Sequence, residues 1–169
     1  MFISVENNTT ERVNKAEFPE FIVTEVPCDG NCLFHSLNHQ LDLPVNKQTA
    51  ASMRAELCTY LTEQYSDKWE TLAHPAVGEG LAAYVERMSR NGEFGDGIML
   101  EMFGHKYKRA ICIRYSNSED TICLRPDCDN STPVYLGYTY RGFGTDQSER
   151  NHYVSLTPTP ASTAAVTKL

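Results

Sequence analysis

The sequence predicts an α+β fold in which helices pack on a small central β-sheet. Apolar residues recur at helical spacing in the earlier part of the chain, whereas the later part carries β-rich runs between polar or glycine-containing loops. Helices that precede strands, instead of alternating with them, are typical of this class. The chain has 169 residues, 41% of them hydrophobic, which is enough for the core of one domain.

Four helices are expected. The first follows the apolar spacing of residues 33–41 and ends before Pro44, and the second covers about residues 47–65. The third covers about residues 80–89, and the fourth lies in "FGDGIMLEMFGHKY", where Asp96 is the expected N-cap. "FPEFIVTEVP" predicts a strand or an extended arm, and further strands are expected in "RAICIRY", "TICLRP", "PVYLGYTY" and "HYVSL".

Composition divides the chain into three parts. Residues 1–16 are polar and unpatterned, which predicts a flexible N-terminal segment. Residues 17–157 carry the predicted elements and form the expected folded domain. Residues 158–169 are of low complexity and predict a tail or a linker.

Charge and composition exclude several kinds of partner. A net charge of −7 argues against binding to a phosphate backbone, so no nucleic-acid partner is expected. No membrane partner is expected either, because no apolar run is long enough to span a bilayer and the opening residues are too polar for a secretory signal. The six cysteines are expected to be reduced thiols in the cytoplasm, or in the host cytosol if the protein is viral or a bacterial effector.

The stretch "DGNCLFHS" at residues 29–36 places Cys32 after a tight polar turn and before an apolar helix. The positive end of a helix dipole favours the thiolate, which is the nucleophilic form of cysteine. Gly30 permits backbone conformations that a larger residue resists, and the N–H groups of such a turn can bind an oxyanion. Cys32 therefore has what covalent attack on a carbonyl requires, except a base.

Five histidines are candidates for that base. His35 and His39 lie on the predicted helix of Cys32 itself and are expected to be solvated or locally hydrogen-bonded. The base of a thiol dyad usually comes from another element. His152 opens the strand "HYVSL" after a glycine- and charge-rich loop, which makes it the preferred base.

At these two stretches the sequence resembles the ovarian tumour (OTU) family of papain-like cysteine proteases, which remove ubiquitin or related modifiers from proteins. "DGNCLFHS" is similar to the family's nucleophile segment, and "NHYVSL" at residues 151–156 is similar to its histidine segment. "FGDGIMLEMF" followed by "AICIRY" is similar to the helix and strand between them. The resemblance extends over residues 18–157 and implies an OTU-type fold for the catalytic domain at residues 17–157.

The resemblance also implies a role for each matching residue. Cys32 is the implied nucleophile and His152 the implied general base. The implied oxyanion hole is the turn formed by Asp29, Gly30, Asn31 and Cys32.

The residue that orients the histidine is left open. Many family members carry Asp or Asn two residues after the histidine, whereas this chain has Val154 there. Asn151 is slightly preferred as the replacement, because an amide oxygen beside the ring is a common orienter. Asp29 is the close second, although it could instead hold the turn before Cys32.

The implied function is a thiol-dependent isopeptidase that cleaves ubiquitin, or ubiquitin-like modifiers, from substrate lysines or polyubiquitin chains. Ubiquitin or polyubiquitin is the implied partner, with its globular surface on residues 70–90 and its arginine-bearing tail suited to an acidic enzyme. The alternative is a catalytically silent OTU-like module that binds ubiquitin. An unrelated acyltransferase or papain-like peptidase would share the Cys–His pair without the "DGNC" string.

No cofactor and no metal are expected. Cys112, Cys123 and Cys128, with His105 nearby, suggest a zinc site, but they lack a C-x₂-C pair and Cys112 lies within an apolar strand pattern. Cys28 lies close to Cys32 in sequence and is expected to be a loop residue.

Overall fold

The structure is a computed structural model, and it describes residues 7, 9–12, 17–72, 78–125, 132–141 and 150–160. The described elements form the predicted α+β fold, which is confirmed. In chain order they are β1 (Thr10–Arg12), β2 (Phe21–Glu25), α1 (Cys32–Gln40), α2 (Lys47–Tyr65), a 3₁₀ helix (Ser66–Thr71), α3 (Leu81–Met88), α4 (Gly97–Tyr107), β3 (Ile111–Tyr115), β4 (Thr121–Leu124), β5 (Val134–Thr139) and β6 (His152–Pro158).

The strands form one mixed sheet in the order β1-β2-β6-β5-β3-β4. β3 and β5 run parallel, and the other neighbouring strands run antiparallel. His152, the first residue of β6, pairs with Thr139, the last residue of β5. β6 lies between β2 and β5, so side chains at the start of β6 are flanked by residues from both.

Side-chain caps explain where α2 and α4 begin. Asn46 Oδ1 accepts from the Thr49 N–H at 2.9 Å, while Thr49 Oγ1 accepts from the Asn46 N–H at 3.2 Å, which makes a capping box. Asp96 Oδ1 accepts from the N–H groups of Ile98 and Met99 at 3.0 and 3.3 Å. Asp96 is therefore confirmed as the N-cap of the fourth helix.

Apolar residues cover both faces of the sheet. The main core packs the four α-helices against β3 and β5, and Tyr153 of β6 joins it. A second cluster contains Phe18, Val23, Val154 and Leu156. Because side chains alternate along a strand, Val154 and His152 lie on the face of the second cluster, opposite Tyr153.

Two short elements are absent from the sequence-based prediction. β1 lies within residues 1–16, and its three residues pair with β2, so a polar segment with no strand pattern gains its structure from a neighbouring strand. The 3₁₀ helix continues α2 and buries Trp69, whose Nε1–H donates to the Glu79 carbonyl at 3.1 Å. Among the described residues, no helix is both long and apolar enough to cross a membrane.

Candidate active site

Cys32 is the first residue of α1, and 2% of its surface is exposed. Its Sγ accepts a hydrogen bond from the Tyr153 N–H of β6 at 3.4 Å. The first turn of α1 carries no acidic residue, so the N-terminal end of the helix dipole favours the thiolate, although burial and, less strongly, the Asp29 carboxylate in the preceding turn oppose it and raise the pKa of Cys32. The structure therefore places this thiol where a helix N-terminus meets the start of a strand.

The surroundings of Cys32 keep it a neutral thiol in the resting protein. Burial is the largest influence and raises the pKa of Cys32 to about 11. Hydrogen bonds from the N–H groups of Tyr153 and Leu33 lower the pKa but do not offset burial. Cys32 becomes a nucleophile near neutral pH only when a base takes its proton.

The turn before α1 is fixed by short contacts. Gly30 has a φ of 81°, and a Cβ at this position would lie 2.0 Å from the Gly92 carbonyl oxygen, so only glycine fits. Asp29 Oδ1 accepts from the Asn31 N–H at 3.0 Å. The Asp29 carboxylate also contacts His35 Nε2 at 3.1 Å, which ties the turn to α1.

Arg54 of α2 is buried, and its guanidinium binds the same turn through the Asn31 side chain. Its Nη2 donates to Asn31 Oδ1 at 2.6 Å and to the Glu93 carbonyl at 2.7 Å. The Gly92 N–H adds a further bond to Asn31 Oδ1 at 3.2 Å, so the Asn31 side chain positions the turn and does not cap α1. The sequence signal for Arg54 is its spacing, four residues after Ala50, within the buried stripe of α2.

His152 is buried at the start of β6, with 2% of its surface exposed. Its Nδ1 lies 3.5 Å from Cys28 Sγ, and its Nε2 lies 3.8 Å from the same sulfur. Burial is the largest influence on its charge and lowers the pKa of His152 to about 4. The imidazole is therefore neutral near pH 7, as a general base must be.

The strand that begins with the predicted base, His152, contacts the predicted nucleophile, Cys32. Tyr153, the residue after His152, donates to Cys32 Sγ. Among the described residues, however, no hydrogen bond joins the His152 ring to Cys32, and the ring contacts Cys28 instead. Catalytic hydrogen bonds often tighten only when substrate binds, so the lack of this bond in the substrate-free protein does not rule out His152 as the base.

Neither residue expected to orient His152 makes a hydrogen bond to its ring in the part of the chain that is described. Asn151 Oδ1 accepts from the Arg141 N–H at 3.0 Å. The Asp29 carboxylate is bound to His35 and to the turn. Burial alone would raise the pKa of Asp29, but the bonds from His35 and Asn31 outweigh burial and lower it. These contacts give Asp29 the role of holding the turn.

Two further histidines, His35 and His39, are hydrogen-bonded to nearby side chains. His35 is fully buried and bonded to Asp29, so it is locally hydrogen-bonded and not solvated. His39 Nδ1 lies 2.7 Å from Ser155 Oγ of β6. His74 falls outside the described residues.

Three charged residues that the sequence does not mark form a cluster on the face of the sheet that carries His152. Arg141 Nη1 and Nη2 donate to the two Glu17 carboxylate oxygens at 2.7 and 2.9 Å, and Nη2 also donates to Glu25 Oε1 at 2.6 Å. The Thr139 hydroxyl, next to His152 in the sheet, donates to the Glu17 carboxylate. The members are far apart in sequence, so only the fold brings the Glu17–Glu25–Arg141 cluster together.

A cleft of about 320 Å³ opens beside the start of β6. Phe94, at its rim, is 60% exposed, and the rings of Tyr138 and Tyr153 stack with centroids 4.6 Å apart. Asn151 and Tyr153 flank His152 in the chain, but the His152 ring projects from the opposite face of the sheet and does not line the cleft. Its lining residues are Phe94, Gly95, Asp96, Tyr138, Arg150, Asn151 and Tyr153.

The structure brings together only two of the cysteines and histidines considered above as zinc ligands. Cys112 of β3 lies opposite Cys123 of β4 in the sheet register, and both are free thiols. His105 instead contacts Glu101 at 3.9 Å and packs on the Tyr65 ring. Cys128 lies outside the described residues, and within them no group of three or more His, Cys, Asp or Glu is arranged to hold a metal ion.

A family match spans both the nucleophile and the histidine segments of this chain. Residues 27–154 match the family described as OTU-like cysteine protease, and the match includes Cys32 and His152. The chain belongs to this family. It is 24% identical over 149 residues to the deubiquitinase OTUD6B of Xenopus laevis. The aligned region covers 85% of this chain and 49% of the frog protein. It is 24% identical over 139 residues to the ubiquitin thioesterase otu2 of Schizosaccharomyces pombe, which covers 80% of this chain and 45% of the yeast protein.

Solved OTU structures share the fold at low sequence identity. The Hazara virus OTU bound to ubiquitin superposes with a TM-score of 0.63 and 17% identity, covering 94% of this chain and 95% of that chain. The OTUD1 OTU domain superposes with a TM-score of 0.61 and 16% identity, covering 80% and 84%. The predicted OTU type of the fold is thus confirmed. The chain spans about half the length of the two curated relatives named above.

Proposed function

We propose that the protein is a thiol-dependent isopeptidase that cleaves ubiquitin from substrate lysines or polyubiquitin chains. One observation carries the proposal: Cys32 Sγ lies at the N-terminus of α1 and 3.4 Å from the N–H of Tyr153, the residue that follows His152. A thiol at this place has a helix dipole that favours the thiolate, a neutral imidazole nearby and a turn of N–H groups before it. Family membership supports the proposal, because relatives are named deubiquitinases and ubiquitin thioesterases.

In the first half of the proposed reaction, the His152 ring turns from Cys28 to Cys32 and takes the proton from Sγ. The thiolate attacks the carbonyl carbon of the modifier's last glycine, a C–S bond forms, and the carbonyl oxygen becomes an oxyanion. Backbone N–H groups of Asp29, Gly30 and Cys32 stabilise that oxyanion, because the Asn31 N–H already donates to Asp29 Oδ1. The C–N bond then breaks, and His152 passes its proton to the departing lysine nitrogen, which leaves a thioester on Cys32.

In the second half, water completes the hydrolysis. His152 removes a proton from a water molecule, the water oxygen attacks the thioester carbonyl, and the C–S bond breaks. His152 returns that proton to the sulfur, so Cys32 regains its thiol, and the modifier leaves as a carboxylic acid that loses the second proton of the water to solvent. These steps use a thiol, an imidazole and water.

Ubiquitin or polyubiquitin is the proposed partner, and ubiquitin-like modifiers are proposed as further substrates. Two solved structures that share the fold are bound to ubiquitin, the Hazara virus OTU and an OTU deubiquitinase from Wolbachia pipientis. The net charge of −7 favours the arginine-bearing tail of ubiquitin. The cleft beside β6 offers aromatic walls for an extended segment. Residues 70–90, of which 73–77 lie outside the described residues, are proposed to meet the globular surface.

The test combines a ubiquitin probe that carries an electrophile at its carboxyl terminus with a fluorogenic ubiquitin amide. We expect the wild type to be labelled covalently and to turn over the amide, and Cys32→Ala to do neither. Turnover should survive a strong chelator and disappear after thiol alkylation. A folded protein that neither reacts with the probe nor cleaves the amide would contradict the proposal, as would activity that is lost in chelator and restored by zinc.

A second candidate is a catalytically silent module that binds ubiquitin. The observation that favours it is the resting state of the site, where Cys32 is a neutral thiol and the His152 ring lies on Cys28. Reversible ubiquitin binding by the folded protein, without covalent labelling, would select the module over the enzyme.

We propose the cytoplasm as the site of action, or the host cytosol for a viral or bacterial protein. The supporting observation is that the five described cysteines are free thiols. Free thiols are usual in reducing compartments, where disulfides rarely persist.

A further inference from the structure

Two strands flank the start of β6, where His152 lies. Glu25 is the last residue of β2, and Thr139 is the last residue of β5. Extending the antiparallel register of β2 and β6 by one residue sets Glu25 opposite Val154. On the other side of β6, Thr139 pairs with His152. Since paired residues share a face and side chains alternate along each strand, the side chains of Glu25, Thr139 and His152 project from the same face of the sheet.

The ion pair between Glu25 and Arg141 crosses β6 on this face. Glu25 ends β2 and Arg141 follows β5, yet Arg141 Nη2 lies 2.6 Å from Glu25 Oε1. The two outer strands of such a trio are about 10 Å apart, which two long side chains can bridge. Glu25 is also a diagonal neighbour of His152 across the β2–β6 pair, and a long side chain reaches that distance.

Several elements bring charge to the His152 ring. Among these charges, Glu25 has the largest effect and raises the pKa of His152 against burial, which is the dominant influence, whereas Arg141 lowers it. Glu25 is also the charge with the largest effect on Cys28, the thiol in contact with the ring. The groups that face His152 are Glu25 of β2, Arg141 after β5, Asp29 of the turn, Glu17 before β2 and the Cys28 thiol.

We infer that Glu25 is the positioning residue of His152. Its carboxylate stabilises the imidazolium that forms when Cys32 gives up its proton, and it fixes the ring for that transfer. A residue at position 154 cannot do so here, because Val154 has no polar atom. A carboxylate offers about four acceptor positions, so the bond from Arg141 does not exhaust Glu25. The inference rests on the proposed function of Cys32 and His152.

Arg141 has a supporting part in this arrangement. Burial alone would lower its pKa, but its bonds to Glu17 and Glu25 outweigh burial and raise it, so the guanidinium stays charged. The cation holds the Glu25 carboxylate over β6 and keeps this partly buried acid and the buried Glu17 from repelling each other. Glu17 shares this cation but binds Thr139, which makes it the matched control for Glu25.

The test compares Glu25→Gln with Glu17→Gln in two measurements. The first is an NMR titration of the His152 imidazole in the free protein, with His152→Gln used to assign the signal. The second is kcat and KM on the ubiquitin amide across pH. We expect Glu25→Gln to lower the pKa of His152 and to reduce kcat about tenfold or more with KM little changed, because proton transfer suffers and binding does not.

The controls separate positioning from mere stability. Glu17→Gln should lower the unfolding temperature by a similar amount but shift the His152 titration less than Glu25→Gln does. Glu25→Asp keeps the charge on a shorter side chain and should fall between wild type and Glu25→Gln in both measurements. It decides the matter if Glu25→Gln does not fold.

Two results would overturn the inference. One is a His152 titration in folded Glu25→Gln, or in Glu25→Asp if only that variant folds, that is the same as in the wild type. The other is an equal shift in Glu17→Gln, which would make the cluster purely structural. A folded wild type that does not cleave the ubiquitin amide would contradict the proposed function instead. The imidazole titration in the free protein would still decide the role of Glu25.

Discussion

The imidazole of His152 contacts the thiol of Cys28, with 3.5 Å between Nδ1 and Sγ, although the next residue along β6 already donates its N–H to Cys32. Two thiols therefore compete for one base in the resting site. Burial is the main cause that raises the pKa of both thiols, so both are protonated near neutral pH. Since Tyr153 already fixes the strand against Cys32, the proposed mechanism requires the His152 ring to turn from Cys28 toward Cys32.

The first prediction concerns which thiol reacts. Cys28 is exposed and touches the base, whereas Cys32 is buried at the helix N-terminus. We expect Cys28→Ala to keep kcat/KM within about threefold of the wild type, since its removal leaves the helix N-terminus and the turn unchanged. Cys32→Ala should lose turnover and probe labelling while still binding ubiquitin. Labelling of Cys32→Ala but not of Cys28→Ala would assign the reaction to Cys28.

The second prediction concerns stability against pH. The pKa of His152 is about 4 in the folded protein and near 6.5 when exposed. Between these values the unfolded chain binds a proton that the folded protein refuses, so stability present above pH 6.5 is lost as the pH falls toward 4. The loss due to this residue should be on the order of 3 kcal/mol.

Urea unfolding at several pH values checks this loss, with His152→Gln as the reference because glutamine does not titrate. The wild type should lose more stability than the variant between pH 6.5 and pH 4. Parallel curves for the two proteins would show that His152 is not buried as a neutral ring.

The third prediction separates backbone strain from close packing in the turn before Cys32. Gly30 and Gly78 have φ values of 81° and 79°, but only at Gly30 would a Cβ meet another atom, the Gly92 carbonyl oxygen at 2.0 Å. Each substitution by alanine should cost about 1–2 kcal/mol for the left-handed backbone. Gly30→Ala must also push residues 29–32 away from Gly92, so its kcat should fall about 10²-fold or more.

Gly78→Ala is the matched control for kcat, which should stay close to that of the wild type in the ubiquitin–amide assay. KM is not part of this control, because Gly78 lies in the segment proposed to meet ubiquitin. Unfolding free energies of both variants check the shared backbone cost. A fully active Gly30→Ala would show that the turn does not need its position to stabilise the oxyanion.

Local signals explain why so much of the fold could be predicted from the sequence. Helical spacing located α1 to α4, and Asp96 marked the start of α4 because its carboxylate caps that helix through adjacent N–H groups. β1 gave no such signal, since three polar residues become a strand only by pairing with β2. The 3₁₀ helix was missed for a similar reason, because burial of Trp69 depends on Glu79 across a turn.

In the candidate site, too, some residues are marked by local sequence patterns, whereas others come together only through the fold. Cys32 and His152 sit in short strings whose chemistry is local, and both were predicted. The spacing of Arg54 places it in the buried stripe of α2, but its bond to Asn31 is not encoded there. The contacts of the Glu17–Glu25–Arg141 cluster likewise join residues distant in sequence, so only the folded chain reveals them. The contact between His152 and Cys28 depends on how the start of β6 meets the turn before α1, which no spacing rule encodes.

The last prediction reverses the order in which the sequence ranks Asn151 and Asp29. Asp29 accepts from the Asn31 N–H and contacts fully buried His35, so Asp29→Ala leaves a buried ring nitrogen without its partner and loosens the turn. We expect it to cost about 1–3 kcal/mol of stability and to lower kcat about 10²-fold, while Asp29→Asn recovers part of both because it keeps an acceptor for the Asn31 N–H. Asn151 is exposed and bonds only the Arg141 N–H among the contacts described for its side chain, so Asn151→Ala should stay within about threefold of wild-type kcat. Kinetics on the ubiquitin amide at several pH values, beside urea unfolding, measure both variants. A folded Asn151→Ala with a crippled kcat, next to a nearly normal Asp29→Ala, would return the orienting role to Asn151 and show that the resting contacts of these side chains change when substrate binds.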